Sequence, residues 1–225
     1  MTVALAVREL AKDYGDEAVV GPLTIDVPAG QRLVLIGHNG SGKTTLLRMA
    51  AGLLEPSAGS VAVGGAPVGS IAAKAATSFL ADQPVFYDDL SLREHLEYVA
   101  RLHGREDWAE EADRLLERLA LSDRADALPR TFSRGLRQRA AIAVALVRPF
   151  QLLLVDEPFV GLDASGRHAL LDLLDEAHGG GAALVVATHE LTTVTESERL
   201  VALRDGAIVF DGPATSADVA MLTTK

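Results

Sequence analysis

Apolar residues along this chain come in two textures. Short unbroken runs, Leu33-Val34-Leu35-Ile36, Leu152-Leu153-Leu154-Val155 and Ala182 to Ala187, read as strands buried on both faces. Elsewhere the period lengthens. Leu92, His95, Leu96, Val99 and Leu102 recur at helical spacing, and Leu115, Leu116, Leu119 and Leu121 do so after a charged opening, so Ser91 to Leu121 predicts a helical insert. Shorter strands are expected at Val3–Val7, Leu23–Val27, Ser60–Val63, which runs into a Gly64-Gly65 hairpin signal, and Thr77–Ala81. Two more fall within Arg199–Phe210, around Asp205-Gly206. Polar turns are expected at Lys12–Asp16, Pro28–Gly30 and Glu55–Gly59. Further helices are expected at Thr45–Ala51, stopped by Gly52; from an N-cap at Ser133 through Val147, ended by Pro149; at Ala164–Ala177, ended by Gly179-Gly180-Gly181; and, as a short piece, at Glu190–Glu196. Buried runs alternating with helices predict an α/β chain, with an antiparallel portion in its first 65 residues.

Composition narrows this. A chain of 225 residues suits one domain, or one with a small subdomain. Its formal net charge of -10 argues against a general nucleic-acid binder, whose phosphate affinity comes from clustered Lys and Arg. With no cysteine, disulfides, thiolate metal sites and a Cys nucleophile are excluded. Met1 to Leu10 carries Arg8 and Glu9 in a strand-like pattern, so no signal peptide is expected there. The most apolar region, Ala140 to Val155, is interrupted by Arg148, Pro149 and Gln151, short of the roughly 20 apolar residues of a spanning helix.

The first candidate chemistry lies between the run ending at Ile36 and the helix opening near Leu46. Gly37-His38-Asn39-Gly40-Ser41-Gly42-Lys43-Thr44-Thr45 is a P-loop, G-x-x-x-x-G-K-[ST], in the strand-to-helix context the motif requires. Its glycines let the backbone fold around phosphate and aim N–H groups and the helix N-terminus at the anion. Lys43 would reach the β- and γ-phosphates, and Thr44 would place its hydroxyl on magnesium. A glycine-rich turn without nucleotide is the bland alternative, and kinases, GTPases, helicases and transporters all share the loop. The apolar run 152–155 ends in Asp156-Glu157, which puts two carboxylates at a strand's C-terminal edge. There Asp156 would hold magnesium through water and Glu157 would act as general base or orient the attacking water. The bland alternative is a solvated acidic loop.

With these stretches in order, the sequence resembles the ATP-binding subunits of ABC transporters over almost its whole length. The resemblance implies an ABC ATPase fold: a P-loop NTPase core with an antiparallel β subdomain and a helical subdomain, one domain over 1–225. In it 1–83 and 150–225 form the core with its antiparallel part, and 84–149 the helical subdomain. It makes Phe132-Ser133-Arg134-Gly135-Leu136-Arg137-Gln138-Arg139 the signature segment, Gln83 the Q-loop glutamine and a magnesium ligand, Gly161-Leu162-Asp163 the D-loop, His189 the switch histidine and Tyr14 the aromatic stacked on adenine. Lys43, Gln83, Glu157 and His189 would be catalytic. Residues 37 and 39–45 would bind ATP with Tyr14, while Ser133 and Gly135 would grip the ATP of a second subunit. The implied assembly is a head-to-tail dimer, of identical chains or of paralogues. It would sit at the cytoplasmic face of a membrane on a separate transmembrane permease docked around Gln83 to Leu96, with ATP and Mg2+ bound and no nucleic acid. Export is expected on general likeness, with import left open, since the permease chooses the cargo.

Two positions depart from the family: Arg134 and Leu136 stand where a glycine and a glutamine are usual, which puts the contacts of that glutamine in doubt. Arg134 would add charge near ATP or lie in solvent. A soluble ABC-type ATPase acting on ribosomes or DNA would call for tandem domains, a coiled-coil insertion or basic extensions. A P-loop kinase or GTPase is opposed by the Ser133 segment and His189, and a hydrolysis-dead subunit by Lys43 and Glu157. His38 sits at a variable position of the P-loop and reads as incidental, His95, His103, His168 and His178 lack metal-ligand spacing, and Trp108 reads as a packing anchor.

Overall fold

The computed structural model describes residues 2–15, 17–189 and 199–217, and the helix expected at Glu190–Glu196 lies outside the described residues. The chain divides into two compact units, one of Met1–Phe79, Gln151–Glu157 and His178–Lys225, the other of Leu80–Phe150 and Pro158–Ala177.

The first unit holds two sheets. β1 (Val3–Tyr14), β2 (Glu17–Pro28), β4 (Ala58–Val63) and β5 (Ala66–Pro67) form a four-stranded antiparallel sheet in the order β2-β1-β4-β5. β3 (Arg32–Ile36), β6 (Thr77–Leu80), β7 (Leu152–Asp156), β8 (Ala183–Ala187), β9 (Arg199–Arg204) and β10 (Ala207–Pro213) form a six-stranded sheet in the order β10-β9-β3-β8-β7-β6. Every residue of β7 and β8 is buried, as the unbroken apolar runs require of central parallel strands. Helix α1 (Lys43–Ala50) contributes Leu46, Leu47 and Met49 to a core that also takes Leu5, Val7, Ile25 and Val27 from the first sheet and Leu33, Leu35 and Val185 from the second. β9 and β10 close through Asp205-Gly206, whose positive φ values of 48 and 76° match the tight hairpin turn that an Asp-Gly pair favours.

One expectation is corrected. Lys12, Asp13 and Tyr14 are not a turn: β1 runs on through Tyr14, with Lys12 opposite Val20 and Tyr14 opposite Glu17. The polar composition marks the exposed end of a paired strand, held by Asp13 N–H on Ser57 Oγ and by Lys12 Nζ on the Glu55 carbonyl at 3.0 Å. Helix α2 (Ile71–Ala76) was not expected, because six residues are too few for a helical period to declare itself; its N-cap Ser70 accepts from Ala73 N–H.

The second unit is helical, with α3 (Leu92–Leu102), α4 (Trp108–Arg118), α5 (Arg134–Leu146) and most of α6 (Ala164–Gly179). α3 opens on a capping box: Ser91 Oγ accepts from Glu94 N–H, and the Glu94 carboxylate accepts from Ser91 N–H. The hydrogen bonds to Ser91 hold the Glu94 carboxyl below its ordinary range. Its contribution is therefore present above the unfolded carboxylate range and is lost as pH falls through the folded one. Ser91→Ala is expected to lower stability by about 1 kcal/mol in urea unfolding near neutral pH. The gap from the parent chain should narrow in acid; an unchanged gap would detach the cap from Glu94.

Candidate functional site

Three parallel strands bring the site together. In register, Leu35 of β3 lies opposite Ala187 of β8, and Ala187 opposite Asp156 of β7, so the segments leaving all three strands emerge on one edge. Two hydrogen bonds continue the ladder past the strand ends: Thr188 N–H to the Leu35 carbonyl at 3.1 Å and Glu157 N–H to the Ala187 carbonyl at 2.9 Å. The loop after β3, the carboxylates after β7 and the histidine after β8 therefore share one place.

The loop's shape needs glycine. Gly42 has φ 101°, and a Cβ there would lie 2.9 Å from the Val19 carbonyl. Gly42 is also the N-cap of α1 and offers no side-chain cap, so the helix's first N–H groups are left for an anion. Lys43 is buried, and its ammonium donates to the Gly37 and His38 carbonyls at 2.8 and 3.3 Å. Ser41 is 1% exposed and its Oγ has no hydrogen-bond partner among the described residues, which suits an acceptor from outside the chain. Asn39 and Gly40 are exposed at the loop's tip, while Thr44 and Thr45 are half-buried in the first turn of α1.

Glu157 stands at the centre. Its Oε1 lies 3.7 Å from Lys43 Nζ, and its Oε2 accepts from His189 Nδ1 at 2.7 Å and from His189 N–H at 3.3 Å. A carboxylate only accepts, so the proton of that short contact sits on Nδ1. Glu157 has φ 46°, in the left-handed region that costs a side-chain-bearing residue on the order of 1–3 kcal/mol, and such strain is retained mainly at functional sites. Asp156 is wholly buried at the end of β7, beside this cluster.

Some supporting residues escaped the sequence reading. Gly206 donates its N–H to the Ser41 carbonyl at 3.2 Å and accepts from Gly21 N–H at 2.9 Å, so the β9–β10 turn braces the glycine loop. His38 joins this brace, with Nε2 3.5 Å from Asp205 Oδ1. The Asp-Gly pair signalled only a hairpin. Tyr14 is 57% exposed, and the ammonium of Lys12 stands over its ring, 5.1 Å from the centroid.

The other expected residues belong to the helical unit. Ser133 is the N-cap of α5 and accepts from Leu136 N–H at 3.3 Å. Gly135 leaves room for the Gly161 carbonyl, which a Cβ would meet at 2.8 Å. Arg134 is exposed, with its stem against Gly161, and Leu136 is half-buried. Asp163 accepts from Gly166 N–H and from Arg139, and those bonds keep its carboxyl below the ordinary range. Gln83 and Pro84 line a cavity of about 620 Å3 with Phe132, Arg134, Arg137 and Gln138. Arg137 reaches the Pro84 carbonyl at 3.4 Å, and the buried Gln138 donates to the Pro158 carbonyl at 3.1 Å.

Oxygen donors suit magnesium, and Thr44 and Asp156 both offer them near the loop. Among the described residues no three His, Cys, Asp or Glu side chains gather to hold a metal, so an ion here would draw on phosphate oxygens for the rest of its shell. Likewise, no described helix is long and apolar enough to cross a membrane.

Comparison with known proteins points one way. The sequence model of the ABC transporter family matches residues 20–160. An ABC transporter ATP-binding protein of Halobacterium salinarum is 40% identical over 215 residues, covering 92% of each chain. The SkfA peptide export ATP-binding protein of Bacillus subtilis is 33% identical, covering 92% of this chain and 88% of the relative. An aliphatic sulfonates import ATP-binding protein of Paracoccus denitrificans is 37% identical, covering 94% and 84%. Among solved structures, an ATP-binding subunit of an ABC transporter superposes with a TM-score of 0.90 at 29% identity, covering 97% of each chain. A dimeric ATP-binding cassette in a post-hydrolysis state with ADP and Pi superposes at 0.85 with 23% identity, a likeness of fold.

Proposed function

The chain belongs to the ABC transporter family as an ATP-binding subunit with ATPase activity, and from that premise we propose that it powers transport through a separate transmembrane permease, in the direction of export. The observation that carries the reading is the meeting of Lys43, Glu157 and His189 at one sheet edge, together with a glycine loop that leads into a helix without a side-chain cap. In this proposal the loop from Gly37 to Thr45 cradles the phosphates of ATP and Lys43 neutralises their charge. Glu157 accepts or orients the attacking water, and His189, fixed through Nδ1, turns its Nε2 toward the γ-phosphate. Magnesium, when bound, would offset phosphate charge, and Thr44 and Asp156 are the residues we assign to hold it.

Ser133 and Gly135 are assigned to the ATP of a second subunit, in a head-to-tail dimer of identical chains or paralogues. That dimer would act at the cytoplasmic face of the membrane, with the permease docked around Gln83 to Leu96. Exposed Val85 and Tyr87 within that stretch, with Tyr98 just beyond it, give an apolar surface suited to a protein partner. The likeness to a peptide exporter supports export, and the comparable likeness to a sulfonate importer makes direction the point to test.

Affinity capture of the tagged chain from solubilised membranes is expected to retain a polytopic membrane protein. Reconstituted with it in vesicles, the chain should drive ATP-dependent loss of cargo from the compartment on the ATPase side. Accumulation on that side would reverse the direction, and capture of ribosomes or DNA in place of a membrane protein would overturn the transport reading.

A further inference from the structure

Tyr14 and Lys12 are two residues apart on β1, so the alternation of the strand puts their side chains on the same face. The ammonium of Lys12 lies over the Tyr14 ring, 5.1 Å from its centroid, within the range at which a cation and a ring face attract. The same ammonium donates to the Glu55 carbonyl at 3.0 Å, an anchor 43 residues away in sequence that fixes where the charge sits. The contact is thus built from both ends. The ring belongs to one strand, and the carbonyl that positions the cation belongs to the segment leading into β4.

We propose that Lys12 is a positioning residue for the nucleobase: it covers one face of Tyr14, fixes the ring's orientation and leaves the opposite face as the platform on which a planar, electron-rich base stacks. This rests on the assignment of Tyr14 to the base of ATP. Two physical effects combine. A ring already held in place loses less freedom when a ligand stacks on it, and preorganisation of this kind appears as affinity. A cation against one face also draws ring electron density toward itself, which makes the other face a better partner for an electron-rich purine. Neither effect touches the phosphates or the attacking water. Lys12 therefore acts on how tightly the nucleotide is held and leaves the chemical step alone.

The test uses the full chain and separates base from phosphate. Binding is measured calorimetrically with ADP, which carries the base, and with inorganic tripolyphosphate, which has none. Lys12→Met keeps the stem and removes the charge. It is expected to weaken ADP binding roughly two- to fivefold, the effect of one exposed cation–ring contact, with tripolyphosphate binding and kcat unchanged and KM for ATP raised in proportion. Lys12→Arg, which can both stack and donate, should return ADP binding to that of the parent chain. Tyr14→Ala should weaken ADP binding more than Lys12→Met does and spare tripolyphosphate.

If Lys12→Met binds ADP like the parent while Tyr14→Ala does not, the role of Lys12 is refuted and the platform stands. If Tyr14→Ala itself leaves ADP binding untouched, the platform assignment fails. Equal losses for ADP and tripolyphosphate in Lys12→Met would place Lys12 with the phosphates or the fold, and would also overturn the proposal.

Discussion

Lys43→Ala is expected to abolish measurable ATP binding at micromolar nucleotide. The ammonium is buried and is held by the Gly37 and His38 carbonyls, so it already points into the space the loop encloses. A polyanion entering that space finds its charge met by Lys43 and by uncapped N–H groups of α1, and only the first carries a full unit of charge. Truncating one partner of a desolvated, hydrogen-bonded charge pair costs about 2–5 kcal/mol, roughly thirty- to several-thousandfold in affinity. Removing the ammonium also leaves Glu157 without its cationic neighbour at 3.7 Å, so the repulsion between that carboxylate and the phosphates is less offset. Calorimetric titration with ATP and magnesium measures the loss, and a thermal melt of the same sample shows whether the loop still folds. Undiminished affinity in a folded Lys43→Ala chain would remove the phosphate role from this loop.

Why the core of this site could be read from residue order follows from burial. Strands covered on both faces must be apolar throughout, so Leu33–Ile36, Leu152–Val155 and Ala182–Ala187 stand out in any window, and the residues just beyond them are by that fact at a sheet edge. Ser133 was legible for another reason: a serine at the head of a helix-length stretch that Pro149 closes is a residue type that caps the first N–H groups of a helix. What stayed hidden depended on pairing. Lys12 to Tyr14 looks like a turn until β2 is seen running beside it, because at an exposed strand end the polar side chains carry no alternation signal. Only with that strand in place do Lys12 and Tyr14 fall on one face, and only with β4 nearby does Glu55 supply the carbonyl that holds the ammonium. The brace from Gly206 to Ser41 is hidden in the same way, since nothing local links the turn after β9 to the loop after β3. The order β9-β3-β8-β7 makes them adjacent, and order in a sheet is a property of the whole chain.

Glu157→Gln is expected to stop turnover while leaving ATP bound, and so to accumulate a dimer. Gln is close to Glu in shape, and its amide oxygen can still accept from His189 Nδ1, so the arrangement at the end of β7 should persist. What is lost is the base: an amide takes no proton from water, and general-base catalysis contributes typically about 10²–10⁴-fold. What is gained is affinity, because removing a negative charge beside the phosphates lessens repulsion at a site where Lys43 is the buried cation. If Ser133 and Gly135 of one chain grip the nucleotide held by another, slow hydrolysis with tighter binding holds the two chains together for as long as ATP survives. Size-exclusion chromatography of Glu157→Gln with ATP and magnesium should then show twice the monomer mass. The parent chain should return to monomer as it consumes ATP, and Ser133→Arg added to Glu157→Gln should abolish the dimer while leaving each chain's ATP affinity within a fewfold. A Glu157→Gln chain that binds ATP and stays monomeric would mean that the residues gathered at the sheet edge make a complete site by themselves, and that the signature helix serves some other contact.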